Sequence, residues 1–320
     1  MIRVGVIRGG ISPEYDISLK TGSEVIRAID TNKYKPVDIL ITKDGEWHLN
    51  GLPVNEEKLK LNVDVVWNAL HGHFGEDGKL QQFLDKLGIP YVGSTALASA
   101  MSHNKMLARD HLASLGYLVP KSRVFKYLNE DMIEMVASDL FRTIVPPWIV
   151  KPLKGGSSID TFIARSYDEL VRALTYLSGK TDEILVEEFV YGEEFFTGVV
   201  EGHRNASHYT FPVFCIKSKH GMLCTRDRMG GEYRFELPRH LSDDAKKEIE
   251  SHAQAIHKAL GLRDYSSVDF IKSPKGLYVI EVDAYPALHE HSPFARALSE
   301  TGVSVDVFTD TLLQRALKRK

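Results

Sequence analysis

Three carboxylates lie in two neighbouring apolar segments in the last third of the chain. Asp269 interrupts one apolar run, and Glu281 and Asp283 end the next run two positions apart, which puts them on one face of an extended strand. If the two runs form a hairpin about Pro274, Asp269 lies across from this pair. Three such acids repel one another unless a cation lies between them. Oxygen ligands of this kind suit Mg²⁺ bridged to nucleotide phosphates; the alternative is a solvated strand face.

A loop rich in glycine and lysine follows an apolar segment in the middle of the chain. Residues 151–158 read KPLKGGSS, so Lys151 and Lys154 supply charge and the following residues offer several backbone N–H groups. That combination can bind polyphosphate. The spacing excludes the G-x-x-x-x-G-K-[ST] phosphate loop. A plain polar hairpin is the alternative interpretation.

A third candidate segment begins where another apolar run ends. Glu187 leaves the run, Val190 follows three residues later and Glu194 seven residues later. Such a spacing could hold an adenine edge and ribose hydroxyls. Taken alone, the same pattern is also typical of a solvated acidic linker.

The elements that must position these residues fall into three stretches. Up to about residue 100, short β-branched runs alternate with amphipathic segments, which predicts crossover units and a parallel sheet. From about residue 104 to 195, a first helix is followed by four strands with one further helix between them. From about residue 196, strands outnumber helices, which predicts antiparallel sheets with helices on one face. The sequence therefore predicts an α/β (α+β) protein with domains over 1–103, 104–195 and 196–320.

Composition limits the classes of function. The 320 residues are 43% apolar and 26% charged, and 40 Lys and Arg against 43 Asp and Glu give a net charge of −3. These values argue against disorder and against electrostatic capture of nucleic acid or a membrane surface. Two cysteines are too few for a disulfide framework. With no apolar run near the roughly 20 residues that span a bilayer and no signal-peptide pattern, the sequence predicts a soluble cytoplasmic protein.

Several longer motifs carry a resemblance to a known family. Residues 9–19 read GGISPEYDISL, residues 69–78 read ALHGHFGEDG and residues 88–94 read GIPYVGS, while Asn104-Lys105 and Val150-Lys151-Pro152 follow. In this order they resemble the ATP-grasp superfamily and, within it, the D-alanine–D-alanine ligases, almost end to end. The resemblance implies an N-terminal Rossmann-like domain followed by central and C-terminal ATP-grasp domains.

The resemblance also implies an activity. It indicates an ADP-forming ligase that joins two amino acids, D-alanine by default, through an acyl phosphate in the synthesis of peptidoglycan precursors. ATP and two Mg²⁺ ions, with Mn²⁺ as an alternative, would serve the reaction, and the protein would be a homodimer with no nucleic-acid or membrane partner.

Family roles transfer to matching positions of this sequence. Glu14 would orient the amine of the first amino acid with help from His71 and Ser157. Ser292 would bind the carboxylate of the second amino acid, in a loop that His289 makes ionisable. The nucleotide and metal positions are Lys105 and Lys151 for phosphates, Ser157 and Ser158 in the lid, Glu187 and Val190 for adenine, Glu194 for ribose, and Asp269, Glu281 and Asp283 for metal.

Four departures from the family pattern concern the acceptor side and the phosphate loops. Ser267 stands where the family has Arg, which by analogy with oxyanion-hole deletions could cost about 10²–10³ in rate. Ala287 replaces a Gly and Asp283 an Asn, and the lid has Lys154-Gly155 where a basic residue and Glu are expected. The mobile-loop lysine is missing, and Arg226 or Arg228 could replace it as a catalytic cation. The alternatives are a ligase with another acceptor and a nucleotide-binding homologue without turnover.

Overall fold

A computed structural model describes residues 1–204, 206–218 and 233–319. Its first sheet has the strand order β4-β3-β2-β1-β5-β6. The elements up to residue 114 are β1 (Ile2–Gly9), α1 (Tyr15–Ala28), β2 (Tyr34–Ile41), β3 (Trp47–Leu49), β4 (Leu52–Pro53), a 3-10 helix (Glu56–Leu61), β5 (Val65–Asn68), α2 (Lys79–Leu87), β6 (Tyr91–Val92), α3 (Ala96–His103) and α4 (Lys105–Ser114).

The predicted parallel sheet has an antiparallel edge that the sequence did not predict. Strands β1, β2, β5 and β6 pair in parallel, as predicted, but β3 and β4 add an antiparallel edge. These two strands are three and two residues long, too short for a periodic apolar pattern to reveal them.

The second sheet is antiparallel throughout, with the order β7-β10-β8-β9. It is covered by two helices, of which α5 was not predicted although its buried positions 133, 136, 137 and 140 follow helical spacing. Its elements are β7 (Ser122–Lys126), α5 (Glu130–Thr143), β8 (Trp148–Pro152), β9 (Phe162–Ala164), α6 (Tyr167–Ser178) and β10 (Glu183–Glu188).

The third sheet is also antiparallel, as predicted, with the order β14-β13-β11-β15-β16 and β12 paired to β11. The elements that the structure describes here are β11 (Glu193–Glu201), β12 (His208–Thr210), β13 (Phe214–Ser218), β14 (Tyr233–Glu236), α7 (Asp243–Ala259), β15 (Tyr265–Ser273), β16 (Gly276–Asp283), α8 (Pro293–Glu300) and α9 (Val305–Leu317). None of the described helices is long and apolar enough to cross a membrane.

One apolar core joins the first and third sheets. Trp67 of β5 has its ring centroid 6.2 Å from that of Tyr265 and 6.1 Å from that of Phe308, and all three side chains are buried. Phe308 belongs to α9, so the C-terminal helix returns to pack on the N-terminal sheet. The second sheet has a separate core of its own. The predicted domain boundaries at 103/104 and 195/196 stay predictions.

We expect Phe308→Ala to lower the free energy of unfolding by about 3–5 kcal/mol, because it removes a ring that is 1% exposed between two sheets. Denaturant-induced unfolding measures the change. The matched control is Val307→Ala on the same helix, where the side chain is 51% exposed and the change should stay within about 0.5 kcal/mol. Equal effects at the two positions would contradict a shared core.

Candidate active site

The hairpin of β15 and β16 brings the three predicted carboxylates together. Asp269 pairs with Glu281 and Ser267 pairs with Asp283, so the acids lie side by side on adjacent strands as predicted. Burial, with Glu76 and Glu281 nearby, raises the pKa of Asp283 to about 7. The raised pKa means that too little positive charge surrounds the Asp283 carboxylate. A divalent cation would supply that charge. The donor set therefore fits a hard cation such as Mg²⁺.

Lys105 connects these acids to the glycine-rich loop. It is the first residue of α4, whose N-cap residue Asn104 accepts hydrogen bonds from two backbone N–H groups through its side chain. The Lys105 Nζ lies 3.6 Å from Glu281 Oε1 and donates to the carbonyl oxygen of Gly155. The cap thus sets the start of the helix, and the helix start sets the position of the lysine.

The glycine-rich loop closes over the turn that follows β1. Gly155, Ser157 and Ser158 all have positive φ, with values of 102°, 53° and 55°. This left-handed backbone turns the loop so that the Ser157 hydroxyl donates to Glu14 Oε1 at 2.6 Å. This hydrogen bond between Ser157 and Glu14 joins the region of the second sheet to that of the first.

Glu14 lies buried at the start of α1, where its carboxylate makes no cap hydrogen bond and faces the site. Gly9 allows the turn before it, since a Cβ at that position would come within 2.3 Å of the Ile41 carbonyl oxygen. Burial, followed by Glu76, raises the pKa of Glu14, and His71, Ser157 and Lys105 oppose the shift.

Two imidazoles hold a further acid beneath Glu14. His71 Nδ1 lies 3.0 Å from Glu76 Oε1, and His103 Nδ1 lies 3.5 Å from Glu76 Oε2. Although burial opposes it, these contacts lower the pKa of Glu76 to about 2. Burial alone lowers the pKa of His71, but Glu76 raises it overall. Glu76 therefore stays ionised against the two imidazoles beneath Glu14.

A buried ion triad forms one wall of the site. Glu187 accepts from Arg109, and its Oε1 lies 2.6 Å from Lys151 Nζ. Despite burial, the two cations lower the pKa of Glu187 to about 2, while burial lowers the pKa of Lys151. Arg109 also donates to the Ile280 carbonyl oxygen at 3.0 Å, which attaches α4 to β16. Glu187 thus has a structural role in this triad, and its predicted contact with adenine stays a prediction.

Two adjoining cavities contain the predicted site residues. The larger, of about 330 Å³, is lined by Glu14, Lys105, Lys151, Ser158, Glu187, Val190, Glu194, Asp269 and Glu281 among others. The smaller, of about 80 Å³, is lined by Glu14, His71, Lys105, Ser157, Ser267, Asp269, Glu281, Asp283, Ala287, His289 and Ser292 among others. Glu14, Lys105, Asp269 and Glu281 belong to both. The predicted Arg226 and Arg228 lie outside the described residues.

Ser292 already has two structural partners. Its hydroxyl donates to the Ala287 carbonyl oxygen at 2.6 Å and accepts from the Ala295 N–H as the cap of α8. His289 is buried in the same loop. The predicted contact of Ser292 with a second amino acid therefore stays a prediction.

Sequence reasoning gave no site role to Glu76, His103 or Arg109. Glu76 stands inside a motif quoted above, which was the available signal. His103 ends α3 and Arg109 lies within α4, and neither position carries a local pattern that points to a partner more than twenty residues away.

Comparison with known proteins identifies the family. Residues 108–314 match the family model described as D-ala D-ala ligase C-terminus, and residues 3–60 and 50–94 match D-ala D-ala ligase N-terminus. The chain belongs to the D-alanine–D-alanine ligase family. It is 30% identical over 318 residues to a D-alanine–D-alanine ligase of Clostridium beijerinckii, covering 99% of each chain.

Solved structures agree with this assignment. A VanG D-Ala:D-Ser ligase from Enterococcus faecalis is 28% identical with a TM-score of 0.82, over 98% of this chain and 99% of that one. A D-alanine–D-alanine ligase from Bacillus anthracis complexed with ATP is 26% identical with a TM-score of 0.77, over 100% and 98%. The predicted ATP-grasp fold is confirmed.

We expect Glu187→Gln to lower the free energy of unfolding by about 3–5 kcal/mol at neutral pH, since it leaves Arg109 and Lys151 buried without their anion. A carboxylate with a lowered pKa stabilises the fold above its unfolded pKa and loses that contribution as the pH falls towards about 2. The difference between the wild type and the variant should therefore shrink on acidification below about pH 5.

Denaturant titrations across this pH range measure the effect. Glu188→Gln is the matched control, because that neighbouring side chain accepts one backbone N–H from Lys121, and its loss should cost about 1 kcal/mol. A Glu187→Gln variant as stable as this control would show that the triad contributes no net stability.

Proposed function

We propose that this protein is an ATP- and Mg²⁺-dependent, ADP-forming ligase that joins the carboxyl group of one amino acid to the amine of a second, with D-alanine as both substrates. The observation that carries the proposal is the set Glu14, Lys105, Asp269 and Glu281, which lines both cavities. A nucleotide in the larger cavity would present its terminal phosphate where an amino acid in the smaller one presents its carboxylate.

The chain supplies distinct groups for the nucleotide. Lys105 and Lys151 would contact phosphate oxygens, and Ser158 and the neighbouring N–H groups would cover them. Val190 and Glu194 both line the larger cavity, where Val190 would contact adenine and Glu194 the ribose. Asp269, Glu281 and Asp283 would hold Mg²⁺, which neutralises charge on the phosphoryl group when bound.

The reaction has two balanced steps. A carboxylate oxygen of the first amino acid attacks the terminal phosphorus of ATP, the bond to the bridging oxygen breaks and ADP leaves. The amine of the second amino acid then attacks the acyl carbon, and phosphate leaves with the electron pair of the C–O bond while the amine loses a proton. Glu14 would hold the first ammonium group, and the loop through Ser157 would keep water from the acyl phosphate.

A second candidate, a different acceptor, is favoured by one pair of positions. Ser267 and Asp283 lie directly opposite each other in the hairpin, where the family pattern has Arg and Asn. Both changes shift the charge in the same direction, because this pair of positions has one cation fewer and one ionisable carboxyl group more than that pattern. An acceptor other than D-alanine would suit such a pocket.

Further parts of the proposal rest on family membership. We include a homodimer and a cytoplasmic reaction serving peptidoglycan precursor synthesis, together with domains over 1–103, 104–195 and 196–320. Light scattering on the purified chain would report its assembly state.

The deciding experiment measures ADP release with Mg²⁺-ATP and a panel of D- and L-amino acids, with mass spectrometry of the products. We expect a D-alanyl-D-alanine product. ADP release only with another pair would establish the second candidate. ATP binding without ADP release across the panel would contradict both and support a non-catalytic homologue.

We expect Ser157→Ala to raise the KM of the first amino acid by about 10–100-fold with a smaller change in the KM of ATP, because it removes a hydrogen bond to the buried Glu14 carboxylate. Ser158→Ala is the matched control in the same loop. Ser158 lines the larger cavity and Ser157 lines the smaller one. In Ser158→Ala the KM of ATP should therefore change more than the KM of the first amino acid. Identical KM changes in both variants would refute separate roles for the two serines.

A further inference from the structure

A second group of metal-ligating side chains lies away from the acids of the active site. It consists of Glu201 at the end of β11, His208 at the start of β12 and His257 in α7. Phe196 of β11 pairs with Asp269, and Glu201 lies five residues further along the strand, roughly 17 Å away. The two groups therefore cannot share one ion.

The three side chains direct ligand atoms at one point. Glu201 Oε1 lies 3.5 Å from His208 Nε2 and 3.5 Å from His257 Nε2, and all three atoms lie within 4.8 Å of one another. Tetrahedral nitrogen and oxygen ligands about 2.0–2.1 Å from Zn²⁺ are about 3.4 Å apart. Two of the three separations match that geometry, and the third, between the two imidazole nitrogens, is no longer than 4.8 Å.

His257 provides a second, independent observation. Its side chain is fully buried, and in the described part of the chain its Nε2 makes no hydrogen bond of ordinary length, its acidic partner Glu201 Oε1 being 3.5 Å away. A buried polar atom without a hydrogen bond is costly and needs an explanation. At 3.5 Å the Glu201 oxygen is too distant for a good hydrogen bond, but it is at the separation expected of two ligands on one cation.

Supporting contacts hold the ligands in position from behind. His257 Nδ1 lies 2.7 Å from Ser266 Oγ, which fixes the ring and leaves Nε2 facing the cluster. Glu201 Oε2 accepts from Arg315 at 2.5 Å and from the Asp264 N–H at 3.1 Å, so Oε1 is the oxygen directed at the imidazoles. Such outer partners are typical of metal-binding histidines and carboxylates.

The nearby guanidinium groups have their own counterion. Asp264 lies 3.4 Å from Arg315 and 2.6 Å from Arg319. Two guanidinium groups thus face two carboxylates, Glu201 and Asp264, so these four side chains carry no net charge and a cation at the cluster would be held by direct coordination to the Glu201 oxygen and the two imidazole nitrogens.

We propose that Glu201, His208 and His257 bind one divalent cation of the Zn²⁺ type, with water as a fourth ligand. The ion would tie the β11–β12 turn to α7 and contribute to stability. This site is independent of the ligase activity proposed above. A simple ion pair between Glu201 and a protonated imidazole is the competing explanation, and it predicts no metal.

The test uses the full chain, stripped of metal with a chelator and then exposed to Zn²⁺ in the presence of excess Mg²⁺-ATP, which occupies the active-site acids. Bound zinc is counted by elemental analysis, and Co²⁺ as a substitute reports its ligands by absorption. His208→Gln removes one half-buried ligand, and His252→Gln on α7 is the matched control outside the cluster.

We expect about one Zn²⁺ per chain in the wild type and in His252→Gln, a tetrahedral Co²⁺ spectrum and a raised Tm. In His208→Gln the affinity should fall by at least about 100-fold, since loss of even an outer partner costs about 10–100-fold. Zinc that is absent in the presence of Mg²⁺-ATP, or that binds equally in His208→Gln, would overturn the proposal. Ligase activity with Mg²⁺ alone, measured in parallel, keeps the outcome separate from that of the proposed function.

Discussion

The structure is organised around an excess of carboxylates confined where three sheets meet. Glu14 is buried, Glu76 and Asp283 are half-buried, and Glu76 raises the pKa of both Glu14 and Asp283. Like charges in a low-dielectric pocket must be balanced by cations or take up protons. His71 and His103 balance Glu76, while Glu14 and Asp283 have weaker compensation, so the site is prepared for cations that arrive with its ligands.

That electrostatic demand explains why no single sheet contains the site. The first sheet supplies Glu14 through the glycine turn after β1, the second supplies the loop that carries Ser157, and the third supplies the acidic hairpin of β15 and β16. Lys105, between the first two sheets in sequence, reaches both the loop and Glu281. The apolar core around Trp67 fixes the first sheet against the third. The hydrogen bond from Arg109 to β16 fixes α4 against the acidic hairpin.

Much of this arrangement could be predicted from sequence because the relevant signals are local. The hairpin follows from two apolar runs about a Pro-Lys-Gly turn, but Asp269 pairs with Glu281 only because the register shifts by one residue between Asp269 and Phe270, which the two-residue period of strands does not predict. The Arg109–Glu187 pair could not be predicted, because it joins residues 78 positions apart through a tertiary contact that leaves no periodic trace. The edge strand β4 was missed for the opposite reason, since two residues are too few to show a period.

Binding and stability are coupled in such a site. An acidic pocket that is under-compensated when empty destabilises the folded chain, and a ligand that brings positive charge removes this cost in the folded state alone. A ligand that binds only the folded form raises the free energy of unfolding by about 2.7 kcal/mol at 100 times its Kd. The large shared core and the Glu187 triad therefore have a functional consequence, because they stabilise the fold enough to hold Glu14 and Asp283 in place before any ligand arrives.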